Sequence, residues 1–122
     1  MILTDSILND IKKLNNIKED DHNFDQDIII HINDALDTCR QLGIGPANGF
    51  EVTDESQTWG DFFGDTQVVP STRGYVHAKV KMIFDPPANS FVMDAFKNKI
   101  AEFEWRGNVD VETPCLKKVG GA

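Results

Sequence analysis

"KMIFDPPANSFVMDAF", residues 81–96, joins two helical apolar patterns through a double proline. Pro86 disfavours helical geometry at Asp85, and neither proline can donate a backbone hydrogen bond, so the first helix must end here. Asn89 or Ser90 then supplies an N-cap for a second helix. Two amphipathic helices joined by so short a link predict an antiparallel helical hairpin.

Apolar side chains recur at helical spacing on both sides of this corner, which gives the hairpin residues 70–84 and 90–106. The first helix is predicted to start near Pro70 and to carry an apolar face of Val76, Val80 and Ile83, extended by Tyr75, Met82 and Phe84. The second is predicted to end at Gly107 and to bury Val92, Ala95, Phe96, Ile100 and Phe103.

Three further helices are predicted upstream of the hairpin. Residues 4–15 place Ile7, Leu8, Ile11 and Leu14 on one face, with Thr4 or Asp5 as the N-cap. Residues 24–42 carry the longest stripe, which consists of Phe24, Ile28, Ile32, Ala35, Leu36, Cys39 and Leu42, between Asn23 as N-cap and Gly43 as a left-handed terminator. Residues 54–64 predict a short helix that turns Trp59, Phe62 and Phe63 inward and stops at Gly64.

The fold prediction is therefore an all-α small bundle with an antiparallel C-terminal helical hairpin and an extended C-terminal tail. Residues 1–106 form the helical domain, and residues 107–122 form the tail, because they lack a helical apolar period. The Gly/Pro-rich connection at 43–53 is predicted to be a loop with a short extended piece at 50–52.

Composition and charge exclude several classes of function. The chain has 122 residues, 40% of them apolar, and a net charge of −8. Residues 1–65 hold 14 acidic and 4 basic side chains, whereas residues 66–122 hold 6 acidic and 8 basic ones. Binding to nucleic acid through phosphate neutralisation needs clustered Lys and Arg, which are missing. The sequence also predicts no membrane span and no signal peptide. Cys39 and Cys115 lack metal-ligand spacing and are predicted to be free thiols in a reducing compartment.

Acidic residues near the second helix offer two candidate metal sites. Asp21, Asn23, Asp25 and Asp27 alternate as in a calcium loop, but Gln26 replaces the required Gly and Ile32 the bidentate Glu, so acidic helix capping is the simpler interpretation. Asp27, His31 and Asp34 share one helical face, which a His/carboxylate metal site would need. The same face is also where polar residues are expected by default.

No complete catalytic or cofactor-binding pattern accompanies these residues. Gly43, Gly45 and Gly49 follow a helix instead of a strand, Pro46 removes a backbone donor, and no Lys-Ser/Thr pair follows, which argues against a phosphate loop. The sequence therefore predicts a protein that is not an enzyme and that needs no cofactor and no metal.

Several stretches in a fixed order resemble the small connector proteins of tailed bacteriophages, adaptors that lie beneath the portal at the head–tail junction. The first is the helix at 24–42, which leads into Gln41-Leu42-Gly43-Ile44-Gly45-Pro46. The others, in chain order, are Trp59 with Phe62, then Phe84-Asp85-Pro86-Pro87, then Ser90-Phe91, and then Glu104-Trp105-Arg106. This resemblance covers residues 3–106.

The resemblance implies an all-helical protein that forms a ring, usually dodecameric, in the neck of the virion after assembly in the host cytoplasm. Such a ring binds the portal on one side and the next neck or tail-completion protein on the other. DNA passes through its channel without specific binding, and the family has no catalytic residues to transfer. Two alternatives stay open: a monomeric helical adaptor or regulator that binds one protein partner, and a small enzyme or metal-dependent protein using Asp27, His31 and Asp34.

The tail beyond residue 106 lies outside the resemblance and is predicted to bind a partner, the portal first. Val109 and Val111 alternate as an added strand would, Leu116 and Val119 are apolar anchors for a groove, and Lys117 and Lys118 can meet an acidic rim. Pro114 completes this predicted binding segment.

Overall fold

A computed structural model describes residues 2–112, with side chains described as far as Arg106. Over these residues the chain forms five helices and no β-strand: α1 (Ile7–Leu14), α2 (Asp25–Gln41), α3 (Trp59–Phe63), α4 (Ser71–Phe84) and α5 (Ser90–Glu112). The all-α prediction is confirmed.

Helix α4 lies at the centre of the bundle. It packs against α2 on one side and α5 on the other, while α1 contacts both α2 and α4. The α4 residue Tyr75 stacks on Phe103 with ring centroids 4.2 Å apart, and His77 meets the ring of Phe96 at 5.6 Å. Tyr75 precedes His77 in α4, whereas its partner Phe103 follows Phe96 in α5. The two helices are therefore antiparallel.

The core fills the space between α1, α2, α3 and α4. Its largest fully buried apolar side chains are Trp59, Tyr75, Phe62, Phe63, Ile7, Leu8, Ile11, Ile28, Ile32, Leu36 and Val52. Helix α3 is short but well defined, because Thr58 and Asp61 form a reciprocal capping box and Gly64 follows at a positive φ of 51°. The three aromatic residues predicted to face inward from α3 are therefore confirmed.

Helix ends agree only partly with the predictions. Gly43 has φ 83°, as the left-handed terminator of α2 requires, and the Asn89 side chain accepts from the first backbone N–H groups of α5. The predicted caps of α1 and α2 are wrong. Ser6 caps α1 through the Asn9 N–H, and the N-cap position of α2 is Phe24 without a side-chain bond. Asn23 does not cap α2, and its own N–H donates to the Asp21 carboxylate.

The predicted extended piece at 50–52 does not form a strand. The Asn33 side chain on α2 accepts from the Val52 N–H at 2.8 Å and donates to the Val52 carbonyl at 3.0 Å. One amide side chain thus satisfies both backbone groups that a neighbouring strand would otherwise pair, and Val52 is buried without a sheet.

Helix α5 differs most from its prediction. It does not end at Gly107 but continues to Glu112, since a single glycine costs only about 1 kcal/mol inside a helix and the next proline in the sequence is Pro114. None of its residues from 90 to 106 is fully buried. Val92 is 43% exposed and Ala95 is exposed, so the predicted apolar face is only partly covered. Ile83, at the last turn of α4, is likewise 57% exposed.

We expect Phe96→Ala to lower the free energy of unfolding by about 1–2 kcal/mol, less than the cost for a fully buried Phe, because the ring is only partly buried against His77. Urea unfolding followed by circular dichroism measures this. Phe91→Ala is the matched control, since Phe91 is 85% exposed. Equal losses in the two variants would contradict the packing of α5 on α4.

Candidate assembly surface

A buried polar centre ties three helices together. The Asp10 carboxylate in α1 accepts from Trp59 Nε1 of α3 at 2.9 Å. It also accepts from Arg73 of α4, at 2.6 Å from Nε and 2.8 Å from Nη2. Burial alone would raise the pKa of Asp10, but the hydrogen bonds from Arg73 and Trp59 outweigh it and hold the pKa below its ordinary value. The site fixes the relative positions of α1, α3 and α4.

A second buried charge joins the first two helices. Lys12 is 0% exposed, and its Nζ lies 2.8 Å from Asp25 Oδ1 and 3.1 Å from the Glu19 carbonyl, to which it donates. Asp25, one of the alternating acids, is therefore committed to an ion pair across the α1–α2 connection. Asp25 thus has a structural role, and its carboxylate is not free to bind calcium as the calcium-loop interpretation requires.

Other reactive groups in the core are kept unreactive by burial. Burial raises the pKa of the Cys39 thiol to about 12, so it stays protonated at neutral pH. The Tyr75 hydroxyl donates to Glu104 at 2.6 Å, and burial together with this carboxylate raises the pKa of Tyr75 strongly. Both groups serve the packing between α2, α4 and α5.

The structure does not build the candidate metal site on α2. Asp27 and Asp34 are exposed and His31 is half-buried. In the described part of the chain, no group of three or more His, Cys, Asp or Glu side chains is placed to hold a metal ion. Nor does the Gly-rich loop form a phosphate cradle: Gly45 lies against the ring of Phe62, where a Cβ would come within 2.5 Å of Cζ.

Partly buried His77 gives the bundle a pH response. Burial, then the charges of Lys99 and Lys81, lowers the pKa of His77 below its ordinary value of 6.5. Since the unfolded chain therefore binds this proton first, stability is lost as the pH falls from about 6.5 through the folded pKa.

We expect thermal unfolding of the native chain to shift to lower temperature between pH 7 and pH 5, and His77→Gln to reduce that shift. The reason is that the variant lacks the proton-binding group that favours the unfolded chain in acid. His31→Gln, on the polar face of α2, is the control and should keep the native pH dependence. An unchanged pH dependence in His77→Gln would contradict this assignment.

Helix α5 exposes large apolar side chains on the side away from α4. We call residues 91, 95, 98, 102 and 105 the α5 outer face, because their spacing of three and four places them on one side of the helix. Phe91 is 85% and Trp105 is 66% exposed. The two aromatic rings lie about 21 Å apart along the helix, with the smaller Ala95 and Asn98 between them. Aromatic side chains are enriched in protein interfaces, so these two exposed rings are candidates for contact with another protein.

Helix α2 exposes a surface of a different composition. We call residues 27, 30, 34, 37 and 41 the α2 outer face. It carries three exposed carboxylates, those of Asp27, Asp34 and Asp37, around Ile30, which is 55% exposed. An isolated exposed isoleucine among acidic residues is a small apolar anchor with a charged rim.

A groove lies where α4 begins and α5 passes over the end of α2. It has a volume of about 370 Å³, with Leu42, Ile44, Val69, Tyr75 and Phe103 as its apolar lining and Lys99, Glu102 and Arg106 at its rim. The groove combines apolar walls with a few charged groups of both signs, which is the general composition of a ligand pocket.

The predicted tail residues fall on or beyond the end of the described chain. Val109 and Val111 lie within α5, so they are not in an extended strand. Pro114, Leu116, Lys117, Lys118 and Val119 lie outside the described residues. The exposed α5 outer face was missed by sequence reasoning, although the spacing of Phe91 and Trp105 could have revealed a second apolar side of the helix.

Comparison with known families agrees with this picture of a helical assembly subunit. The sequence model of the phage connector protein family matches residues 7–114. The chain belongs to the phage connector protein family. No curated protein and no solved structure matches the chain. The match extends from the start of α1 past the end of α5, so every helix described above is part of the family's common domain.

Family membership implies that this phage connector protein has a structural role at the head–tail junction and contacts other proteins of the phage head or tail. Among the described residues, no helix of this connector is long and apolar enough to cross a bilayer. The resemblance seen in the sequence is confirmed at the level of the family.

Proposed function

We propose that this connector protein forms a ring in the neck of the virion, around the channel through which DNA passes. The ring binds the portal on one side and the next neck or tail-completion protein on the other. The single observation that carries this proposal is the α5 outer face, where Phe91 and Trp105 stay exposed in the isolated subunit. A protein that joins others at a junction needs surfaces for contact, and these exposed aromatic side chains are available for one.

Several properties of the subunit suit this role. The bundle is rigid at its centre, where Asp10, Arg73 and Trp59 fix three helices, so neighbouring subunits can pack helix against helix without rearrangement. The net charge of −8 does not favour binding to DNA phosphates, which allows passage without adhesion. A ring that joins other proteins needs no turnover, metal or cofactor, and in the described residues the candidate metal ligands on α2 are not gathered into a site.

The proposal extends to the C-terminal segment as the contact with the portal. Leu116 and Val119 would enter a groove on the portal, with Pro114 limiting the segment's conformations and Lys117 and Lys118 meeting acidic residues at the rim. Val109 and Val111, which lie within α5, would extend that contact onto the helix.

We expect deletion of residues 113–122 to leave the helical bundle folded and to abolish stable attachment to portal-bearing heads. The bundle should survive because its core lies between residues 7 and 80. Co-sedimentation of purified protein with heads measures attachment, and circular dichroism checks the fold. The full-length variant Leu116→Ser/Val119→Ser is a second test of the same contact and should also attach poorly. If truncated protein attaches as well as the full chain, the portal contact lies on the helices.

The function itself is tested by native mass determination of the connector bound to purified portal complexes. We expect many connector copies per portal, in the number set by the portal's rotational symmetry. A single copy per complex would favour the alternative of a monomeric adaptor that binds one partner.

A further inference from the structure

We propose that the groove at the start of α4 is a docking site for an acidic, aliphatic segment of another protein at the head–tail junction. The inference deepens the proposed function and rests on it for the source of that segment. The groove has a volume of about 370 Å³, near the lower end of the range of about 300–1,000 Å³ for ligand pockets. It therefore takes a few side chains of a short segment.

The walls of the groove supply the preference for an aliphatic side chain. Leu42 and Ile44 follow the end of α2, Val69 precedes α4, and Phe103 lies on α5. The Phe103 ring stacks on Tyr75 with centroids 4.2 Å apart, so these two rings hold each other in place. Ile44, Val69 and Phe103 are only half-buried, which leaves apolar surface that a side chain from a partner can cover.

Lys99 gives the groove a positive charge that the subunit does not neutralise. Its ammonium lies against Gly74 of α4, where a Cβ would come within 2.7 Å of Nζ. Lys99 lines the groove and forms no ion pair with a described side chain. Arg106 at the same rim is paired with Glu102 at 2.5 Å, so those two charges offset each other. A carboxylate from outside the subunit can pair with the remaining ammonium.

The surroundings of the groove also favour a negative charge. Glu104, the nearby acid on α5, is already engaged, because its carboxylate accepts from the Tyr75 hydroxyl at 2.6 Å and lies 3.6 Å from Lys79 Nζ. Ser71, the first residue of α4, lines the groove, and the N-cap residue Pro70 makes no side-chain hydrogen bond. The first turn of α4 contains no acidic residue, so its partial positive charge adds to that of the lysine.

Charge distinguishes this occupant from the C-terminal segment of the same chain. Residues 113–122 include Lys117 and Lys118 and no acidic side chain. Two further ammonium groups beside Lys99 would be repelled. We therefore assign the groove to a partner segment that carries a carboxylate, and residues 113–122 keep their proposed contact with the portal.

NMR titration of the isotope-labelled full chain with synthetic peptides tests this assignment. The probes are end-capped peptides with one Asp and one Leu at several spacings in a serine background, and matched peptides with Lys in place of Asp or Ala in place of Leu. We expect the Asp/Leu peptides to shift the amide signals of Ile44, Ser71 and Phe103, and both matched sets to bind more weakly. Equal binding of the Lys peptides, or no shift at the groove for any spacing, would overturn the inference.

Substitutions in the chain locate the charge. Lys99→Gln should weaken binding of the Asp/Leu peptide about fivefold, which corresponds to about 1 kcal/mol for a partly exposed charge pair. Lys97→Gln is the matched control, because Lys97 is an exposed lysine of α5 that does not line the groove. If the native chain, Lys99→Gln and Lys97→Gln bind the peptide equally well, the inference is wrong.

Gly74→Ala separates binding from stability. The added methyl group would displace the Lys99 ammonium, so the variant should bind the Asp/Leu peptide more weakly. It should not lower the free energy of unfolding, because Ala favours a helix more than Gly does and the flexible end of a lysine can move aside. Native affinity in this variant would contradict the placement of the ammonium in the groove.

Three other results would assign the groove to a different occupant and overturn the inference. Groove signals that shift on dilution of the free chain would indicate a second copy. Groove signals that shift on deletion of residues 113–122 would indicate the C-terminal segment. Free hexanoate that binds as tightly as the peptides would indicate a small carboxylate. The titration uses the isolated chain, so its failure leaves the proposed ring intact, whereas a single copy per portal would refute the ring and leave the titration unchanged.

Discussion

Replacement of Asp10 with Ala is expected to lower the free energy of unfolding by about 3–4 kcal/mol, within the range of about 3–5 kcal/mol for breaking a buried charge pair. The variant leaves the buried Trp59 Nε1 without an acceptor and Arg73 without its carboxylate. The loss should be below the upper end of that range, because the Arg73 side chain is 38% exposed and water can solvate its charge. Equilibrium urea unfolding gives the value.

Two controls isolate the buried contact. Asp94→Ala removes an exposed carboxylate from α5 and should change stability by less than about 0.5 kcal/mol. A double-mutant cycle with Arg73→Met should show that the two losses are not additive, since both remove the same pair. Additive losses, or a loss in Asp10→Ala no larger than in Asp94→Ala, would contradict a structural role for this centre.

The same carboxylate contributes to the acid sensitivity of the native chain. Because the folded pKa of Asp10 lies below its ordinary value of 3.8, its contribution is present above that value and is lost as the pH falls further. Asp10→Ala should therefore lack this part of the acid sensitivity.

Replacement of Gly45 with Ala is expected to lower the free energy of unfolding by about 3 kcal/mol, from a left-handed backbone and an overpacked core together. Gly45 has φ 80°, and a Cβ there would lie 2.5 Å from Cζ of Phe62. The Phe62 ring is 1% exposed and packs edge-on against Phe50 and Phe63, so it has little room to move.

Gly49→Ala separates the two causes, since Gly49 also has a positive φ, of 92°, but a Cβ there would meet only the Arg40 side chain at 3.8 Å. It should cost about 1 kcal/mol, the backbone part alone. Thermal or urea unfolding of both variants measures the difference. Equal losses of stability in the two variants would mean that the close contact between Gly45 and the Phe62 ring adds nothing to the cost of the substitution.

The hairpin and the main apolar stripes could be predicted because they depend on local rules. Pro86 forces a helix end, and the period of Ile28, Ile32, Ala35 and Cys39 gives a buried face wherever the helix packs. Gly43 could be assigned for the same reason, since a helix terminator of that type needs a left-handed residue.

The remaining features depend on contacts between distant residues. The polar character of Asp10 and Lys12 predicts positions on the surface. Their partners Arg73 and Asp25 lie on other helices, so the sequence pattern does not reveal these two ion pairs. Ile83 of α4 and Val92 of α5 are exposed because the two helices cover only part of each other's apolar face. The apolar period of a helix does not determine how much of its face is covered. A helix period shows which residues share a face, but not whether a neighbour is present to cover it.

The central claim, a ring at the head–tail junction, is tested most directly by cryo-electron microscopy of portal-bearing heads incubated with this protein. We predict a closed ring of helical subunits beneath the portal, around an open channel. Density for one isolated copy, or heads whose portal stays bare after incubation, would contradict the account.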